Sequence, residues 1–566
     1  MSLRLALHGH AYQPPRANPR TGIVPVEAGA TPFRDWNERI TAECYAPCTA
    51  TRLHDSSGRV TAIVNLFERM SFDLGPTLAH WLERHAPVVH DRMVAGDARG
   101  RTAVAHPYHH IILPLAPARD ALTELRWGMA DFRHRFGREP EGMWLPETAV
   151  DESVLSMLDT LGVGFTIVAP HQVAKQPHAG NLGRSASSQV TLVVYDGPTS
   201  HALAFGSALG SADALADQLA TSAGTGLTVA ATDLETFGHH HRFSERAVGH
   251  LLFEVAAERM MHAGGIPELM QGVGITDVGS VLPSAWSCAH GYERWRSDCS
   301  CSTDGSSGSH QRWRAPLRAL LDILRDHAHD VFARRGAEVF HDAWLARDAY
   351  GEVLADRGRW ESFAAQHVRP LASVDEAAIL LASQEATLAS FTSCAWFFAD
   401  LLRPEAAIVL QEAARSIELL ASLGEHAPLN TALGCLDAPG VLAAPAAGPT
   451  GITSGRAVWE WATRERGEGE ATSASVDLRR WDTMGTSVAL VADLAVRAAA
   501  GSSVHASQAI EVIELTRRAG EQHLFVVAQQ TVYDALLGRG RDVDRSLASL
   551  GDALGLSVDA VTGRRH

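Results

Sequence analysis

Residues 3–15 read Leu3-Arg-Leu-Ala-Leu-His8-Gly-His10-Ala-Tyr-Gln13-Pro-Pro. Leu3, Leu5 and Leu7 alternate with Arg4, Ala6 and His8, the period of a strand whose faces differ. One face is aliphatic and suits covering helices. The other carries Ala6 and then His8 and His10, close to the strand's C-terminal end. Histidines on an inward face are poor packing groups, but in a parallel barrel the C-terminal mouth is where active sites are built. The competing reading is a pair of surface histidines near a frayed terminus.

Working outward, short β-prone runs recur at residues 60–65, 102–105, 164–168, 190–195 and 227–232. Helical stretches at 74–84, 120–136 and 151–161 fit between them. Strands alternating with helices predict βα units around a parallel sheet or barrel. Residues 302–310 (STDGSSGSH) read as a linker or exposed loop, and helical periodicity follows. Leu317, Leu320, Leu321, Leu324, Ala328 and Val331 mark one face. Ser373 and Glu376 form a capping box, Pro404 opens a helix and Gly424 stops it. Residues 437–456 read as a loop, and helices resume around Ile510, Ile513, Leu515 and 525–532.

Composition bounds the function. With 49 basic against 65 acidic residues the chain carries −16, which disfavours phosphate backbones, so no nucleic-acid partner is expected. No run of about 18 apolar residues occurs, and no membrane span is expected. Seven cysteines are sparse and odd in number, arguing against a disulfide framework. With no signal-peptide pattern at the start, a cytoplasmic location is expected.

Candidate chemical groups fall at strand ends. The third run ends in His106-Pro-Tyr108-His109-His110, an aromatic beside histidines that suits a polar ring, although His109 and His110 could instead cap the next segment. In Trp144-Leu-Pro-Glu147 a carboxylate follows an apolar run at a barrel rim. It could be a nucleophile, a general acid or a metal ligand. Asp151 and Glu152 read as first-turn acids of a helix. The run 227–232 breaks into Asp233-Leu-Glu235-Thr-Phe-Gly238, followed by His239, His240 and His241. A charge at the end of an apolar strand is paired or working, or else caps the turn. The segment from Trp286 to Cys301 contains Cys288, His290, Cys299 and Cys301. Its Cys-x-Cys spacing fits zinc poorly, while its aromatic and arginine residues suit a sugar. Cys44 and Cys48 read as structural.

Together these motifs resemble glycoside hydrolase family 57. The strand ending in His8, His10 and Gln13-Pro14, the segment around His106, Trp144–Glu147 and Asp233–Gly238 match in order. The segments 286–301 and 391–398 resemble a bacterial branch with its own helical C-terminal domain. The resemblance implies an α/β fold, an incomplete (β/α)7 barrel over 1–303 followed by a mostly α-helical domain over 315–566. It implies a retaining glycosidase or glucanotransferase on α-glucans, with Glu147 as nucleophile and Asp233 as general acid/base. It also implies substrate contacts from His8, His10, Gln13, His106, Tyr108, His109, Trp144, Glu235, Trp286 and His290. The expected partner is an oligo- or polysaccharide, and neither a cofactor nor a metal is expected.

Two other classes remain open at this point. In a metal-dependent polysaccharide deacetylase, His8, His10, Asp233 and one of His239–His241 would bind a divalent ion. A non-catalytic glucan-binding protein would need neither carboxylate.

Overall fold

The alternation of the first strand is carried into three dimensions. In the computed structural model, which describes residues 3–177, 182–222, 226–303, 310–442, 452–464, 490–518 and 525–563, β1 spans Arg4–Ala11. The strands that follow are β2 (Thr51–His54), β3 (Val60–Val64), β4 (Ser71–Leu74), β5 (Ala103–Val104) and β6 (Gly142–Met143). Then come β7 (Phe165–Val168), β8 (Leu182–Ser185), β9 (Thr191–Val194), β10 (Leu227–Asp233), β11 (His262–Ala263) and β12 (Thr276–Gly279).

Strands β10, β1, β4 and β5 pair in parallel in that order. A parallel bridge from Ala105 to Met143 continues the path to β6, and β7 and β9 follow. Between β9 and β10 the backbone link is a hydrogen bond from Asp196 N to Val229 O, 2.7 Å, in place of a paired ladder. Seven parallel strands with one loosely joined seam make the incomplete (β/α)7 barrel.

Ala6, Val104, Trp144, Phe165, Ile167, Val193, Val229 and Ala231 fill the barrel interior. Leu5 and Leu7, on the opposite face of β1, pack with the surrounding helices. Burial of such aliphatic side chains contributes about 1.5–3 kcal/mol each. A leucine face outside and an alanine–histidine face inside are what a period of two requires.

One expected strand lies elsewhere. The run at 60–65 forms β3, which pairs antiparallel with β2 in a hairpin outside the barrel. Its barrel place is taken by β4, Ser-Phe-Asp-Leu, in which Asp73 is fully buried. A short strand with a central acid lacks the apolar run that marks β structure.

The helices Arg314–Val339, Val374–Ala389 and Pro404–Ala421 form the layer beside the barrel. Ser373 Oγ accepts from Glu376 N, as the capping pattern requires, and Gly424 takes a φ of 81° after the third helix. This layer is joined to the barrel helix Ala118–Phe136 by buried polar contacts. Trp127 Nε1 donates to Arg347 O at 2.7 Å, and Arg347 pairs with Asp120 at 2.9 Å. The last helices, Ser503–Arg518, Val526–Arg539, Arg545–Ala553 and Val558–Thr562, close a second core that takes in Val60 of the hairpin. Within the expected linker and the expected loop, residues 304–309 and 443–451 lie outside the described residues.

Candidate active site

Strand register sets the centre. His8 lies opposite Ser71 and His10 opposite Asp73 across β1 and β4, while on the other edge of β1 His10 lies opposite Asp233. The Asp73 carboxylate bridges both imidazoles, at 3.1 Å from His8 Nε2 and 2.9 Å from His10 Nδ1. The other nitrogen of His8 meets Ser71 Oγ at 3.1 Å.

The charges divide unevenly over this triad. Burial lowers the pKa of His8 despite Asp73, and His8 is the neutral member. For His10 burial is outweighed by Asp73, Asp233 and Glu235, which lift it to about 9. Burial opposes ionisation of Asp73, but the two histidines hold it below the usual carboxylate range. The site therefore has a buried cation at His10 facing several acids.

Glu147 enters from β6 through Trp144, Leu145 and Pro146. Its φ is 57°, left-handed for a residue with a side chain, and Thr148 follows at 47°. Such a conformation costs about 1–3 kcal/mol and persists only where its surroundings over-determine it. Gln172 supplies that restraint, accepting from Thr148 Oγ1 at 2.8 Å and donating to Thr148 O at 2.7 Å. The Glu147 carboxylate accepts from Trp286 Nε1 at 2.9 Å and from Ser287 Oγ. Burial raises its pKa, and Ser287, Arg294, Trp286 and His10 oppose the rise.

Asp233 ends β10, and Glu235 follows in a 3-10 turn. Glu235 accepts from Gln13 Nε2 at 2.9 Å and from the Tyr45 hydroxyl. Burial, then the charges of Glu235, Glu147 and Asp73, push Asp233 up to about 7, with His10 pulling the other way. That places a proton on Asp233 near neutrality.

The remaining expected contacts separate into two groups. His106 stacks on His10 at 5.7 Å between ring centroids, and burial lowers its pKa to about 4. Trp286 is half-buried beside Glu147. Trp144 is fully buried beneath His8 and His10, with centroids at 4.8 and 5.1 Å, and so floors the site. Tyr108 and His109 face away from the cluster. The helix Ala118–Phe136 presses on their loop so closely that a Cβ on Gly128 would lie 2.0 Å from His106 O. His109 Nδ1 bonds Glu124 at 2.7 Å, and Tyr108 packs with Trp127 and the helical layer. His290 is exposed and lies with cysteines, its Nδ1 3.5 Å from Cys301 Sγ.

His110 is read from the sequence only as part of its motif, and Tyr12, Asp73 and Tyr45 are not read as site residues. His110 occupies the place expected of His109, with its Nε2 3.2 Å from His10 Nε2 and its ring stacked on Tyr12 at 4.0 Å. Tyr12 is the next inward position after His8 and His10, so the period of two contained it. Asp73 and Tyr45 sit in segments without a motif.

Two groups of side chains could hold a metal ion. Among the described residues, His10, His106 and His110 bring ring nitrogens within 4.8 Å of one another, with Asp73 on the Nδ1 of His10 and its Nε2 facing His110. Cys288, His290, Cys299 and Cys301 form the second group, within the same limit. The Cys-x-Cys spacing, read as a poor fit to zinc, brings these ligand atoms together all the same. Among the described residues, His8, His10, Asp233 and a histidine of 239–241 do not come together as a group that could hold a metal ion; His239 bonds Glu43 and His241 bonds Ala204 O.

No helix among the described residues is long and apolar enough to cross a membrane. No curated protein matches the chain. Among solved structures, an exo-type maltose-forming amylase from Pyrococcus sp. ST04 is 14% identical with a TM-score of 0.60, over 77% of this chain and 83% of that one. The α-amylase AmyC from Thermotoga maritima is 12% identical with a TM-score of 0.48, over 82% and 97%. A branching enzyme from Pyrococcus horikoshii is 13% identical with a TM-score of 0.46, over 74% and 88%. Residues 310–439 match a domain of unknown function, DUF3536. Residues 37–270, the greater part of the barrel, match the family model of glycosyl hydrolase family 57.

Proposed function

We propose that the protein is a retaining α-glucan hydrolase or glucanotransferase in which Glu147 attacks the anomeric carbon and Asp233 is the acid/base. Retaining chemistry needs two carboxyl groups about 5–5.5 Å apart, one ionised and one protonated at the start. The observation that carries this reading is geometric: Asp233 ends β10 opposite the buried His10, and the buried Glu147 carboxylate is held by Trp286 and Ser287. Burial and neighbouring carboxylates lift Asp233 to about 7.

In the first step Asp233 gives its proton to the departing glycosidic oxygen while Glu147 forms a glycosyl ester. In the second, Asp233 takes a proton from water or from a sugar hydroxyl, which attacks the ester and frees Glu147. His10, held charged by Asp73, balances the acids around it. Trp286 and Ser287 fix the Glu147 oxygen that does not attack. Gln13 and Tyr45 orient Glu235.

The likeness to the maltose-forming amylase supports an oligo- or polysaccharide substrate. Product analysis on maltooligosaccharides, amylose and branched glucans tests the reading, with anomeric configuration followed by proton NMR. Retained configuration, and loss of turnover in Glu147→Gln, are expected. Inverted products, or a Glu147→Gln variant with ordinary turnover, would exclude it.

A further inference from the structure

We propose that Cys288, His290, Cys299 and Cys301 form a structural zinc site that fastens the end of the barrel to the helical half and holds the segment carrying Trp286 and Ser287 in place. The distances are those of a tetrahedral ion. Cys288 Sγ lies 4.0 Å from Cys299 Sγ and 3.9 Å from Cys301 Sγ, and Cys301 Sγ lies 3.5 Å from His290 Nδ1. Zinc bonds of about 2.3 Å to sulfur and 2.0–2.1 Å to nitrogen give tetrahedron edges of about 3.8 Å and 3.6 Å. A disulfide requires sulfurs at about 2.05 Å and would use two of the three thiols, leaving the third and the imidazole unexplained.

The local backbone accounts for the unusual Cys-x-Cys spacing. In an extended strand, residues two apart are separated by about 6.6 Å, too far for one ion. Ser300 has a φ of 63°, which folds the chain between Cys299 and Cys301. All four ligand atoms then fall within 4.8 Å of one another.

The surroundings supply charge balance. Three thiolates and a neutral imidazole on a divalent zinc leave one negative charge. Arg314, fully buried at the start of the helix Arg314–Val339, donates to Cys299 Sγ at 3.7 Å and to Cys301 O at 3.0 Å. Its described hydrogen-bond partners are Cys299 Sγ and the carbonyls of Cys301 and Phe398, none of them a carboxylate. A buried guanidinium requires a counter-charge, and a zinc–thiolate centre provides it.

The site has a consequence for the carboxylate it flanks. Trp286 and Ser287, the residues just before Cys288, both bond Glu147. Any effect on turnover rests on the function proposed above, whereas metal content does not.

The test uses the full chain, produced with zinc in the medium and purified without chelator. Elemental analysis should find about one zinc per chain in the wild type and in Cys435→Ser, and less than about a tenth in Cys299→Ser/Cys301→Ser. Organomercurial titration of the wild type should release the zinc as the thiols react, a readout independent of whether the double variant folds. His290→Ala, altered at an exposed position, should lose its zinc to a competing chelator at lower concentration than the wild type. A wild type without stoichiometric zinc, one holding a different metal, an intact mass two hydrogens light, or zinc kept by the double variant would overturn the site.

Discussion

His10 and Asp233 are register partners across β1 and β10. The buried imidazolium thus stands beside the carboxyl whose proton the proposed reaction needs. Asp233 is pushed up to about 7 by burial and by Glu235, Glu147 and Asp73. A general acid works while protonated, so kcat/KM should fall as pH rises through about 7. Replacing Glu235 by Gln removes a negative neighbour and stabilises the Asp233 carboxylate. The basic limb of the pH–rate profile should then move to lower pH. A profile unchanged in that variant would show that the limb belongs to another group.

Removing either carboxyl group should abolish turnover without unfolding the protein. Glu147→Ala and Asp233→Ala should each lower kcat by at least about 10³-fold, as expected when members of one catalytic unit are deleted. Circular dichroism and thermal melts should remain close to wild type, since each change removes a buried, unfavourably placed acid. Near-normal turnover in either variant would reassign that residue.

Trp286→Phe keeps an aromatic ring and deletes the hydrogen bond to Glu147. A bond to a charged acceptor contributes about 1.5–3 kcal/mol, so kcat should fall about ten- to a hundredfold. Because that bond favours ionised Glu147, the acidic limb should also move to higher pH. Steady-state kinetics across pH checks both effects.

Asp73→Asn leaves His10 buried without its counter-ion and should cost about 3–5 kcal/mol in urea unfolding. The loss depends on pH in a set direction. His10, raised to about 9, contributes stability that is full below about 6.5 and is lost as pH rises through 9. Asp73, lowered from its usual value, contributes stability above about 4 that is lost as pH falls. The difference between wild type and variant should therefore be largest between about pH 4 and 6.5 and smaller at pH 10. Equilibrium unfolding at these pH values measures it.

The barrel was legible in the first strand because its two faces differ in kind. Leucines faced the helices and the alanine–histidine side faced inward, and the same alternation contains Tyr12. The helical half was legible from caps, such as Ser373 with Glu376, that act over a single turn. What stayed hidden depends on contacts distant in sequence. Ser71–Leu74 has no apolar run, and Asp73 is tolerable in a strand because two histidines from β1 compensate it. His109 and His110 are adjacent and chemically identical. Glu124 draws one aside, and a φ of 58° turns the other toward His10. The Cys299-x-Cys301 spacing fits zinc poorly in an extended chain, but Ser300, with a φ of 63°, folds the chain between them.

His110 is also held from the far side. Its Nδ1 meets Ser393 Oγ at 2.6 Å, Ser393 N donates to its carbonyl at 3.0 Å, and Thr392 Oγ1 donates to His109 O at 2.9 Å. Both residues belong to the helical layer, which therefore completes the wall of the candidate site. A gene fragment ending at the linker would encode a barrel with one histidine untethered and its Trp127 face bare. Exchanging this helical layer for another would remove the Thr392 and Ser393 bonds that hold His109 and His110.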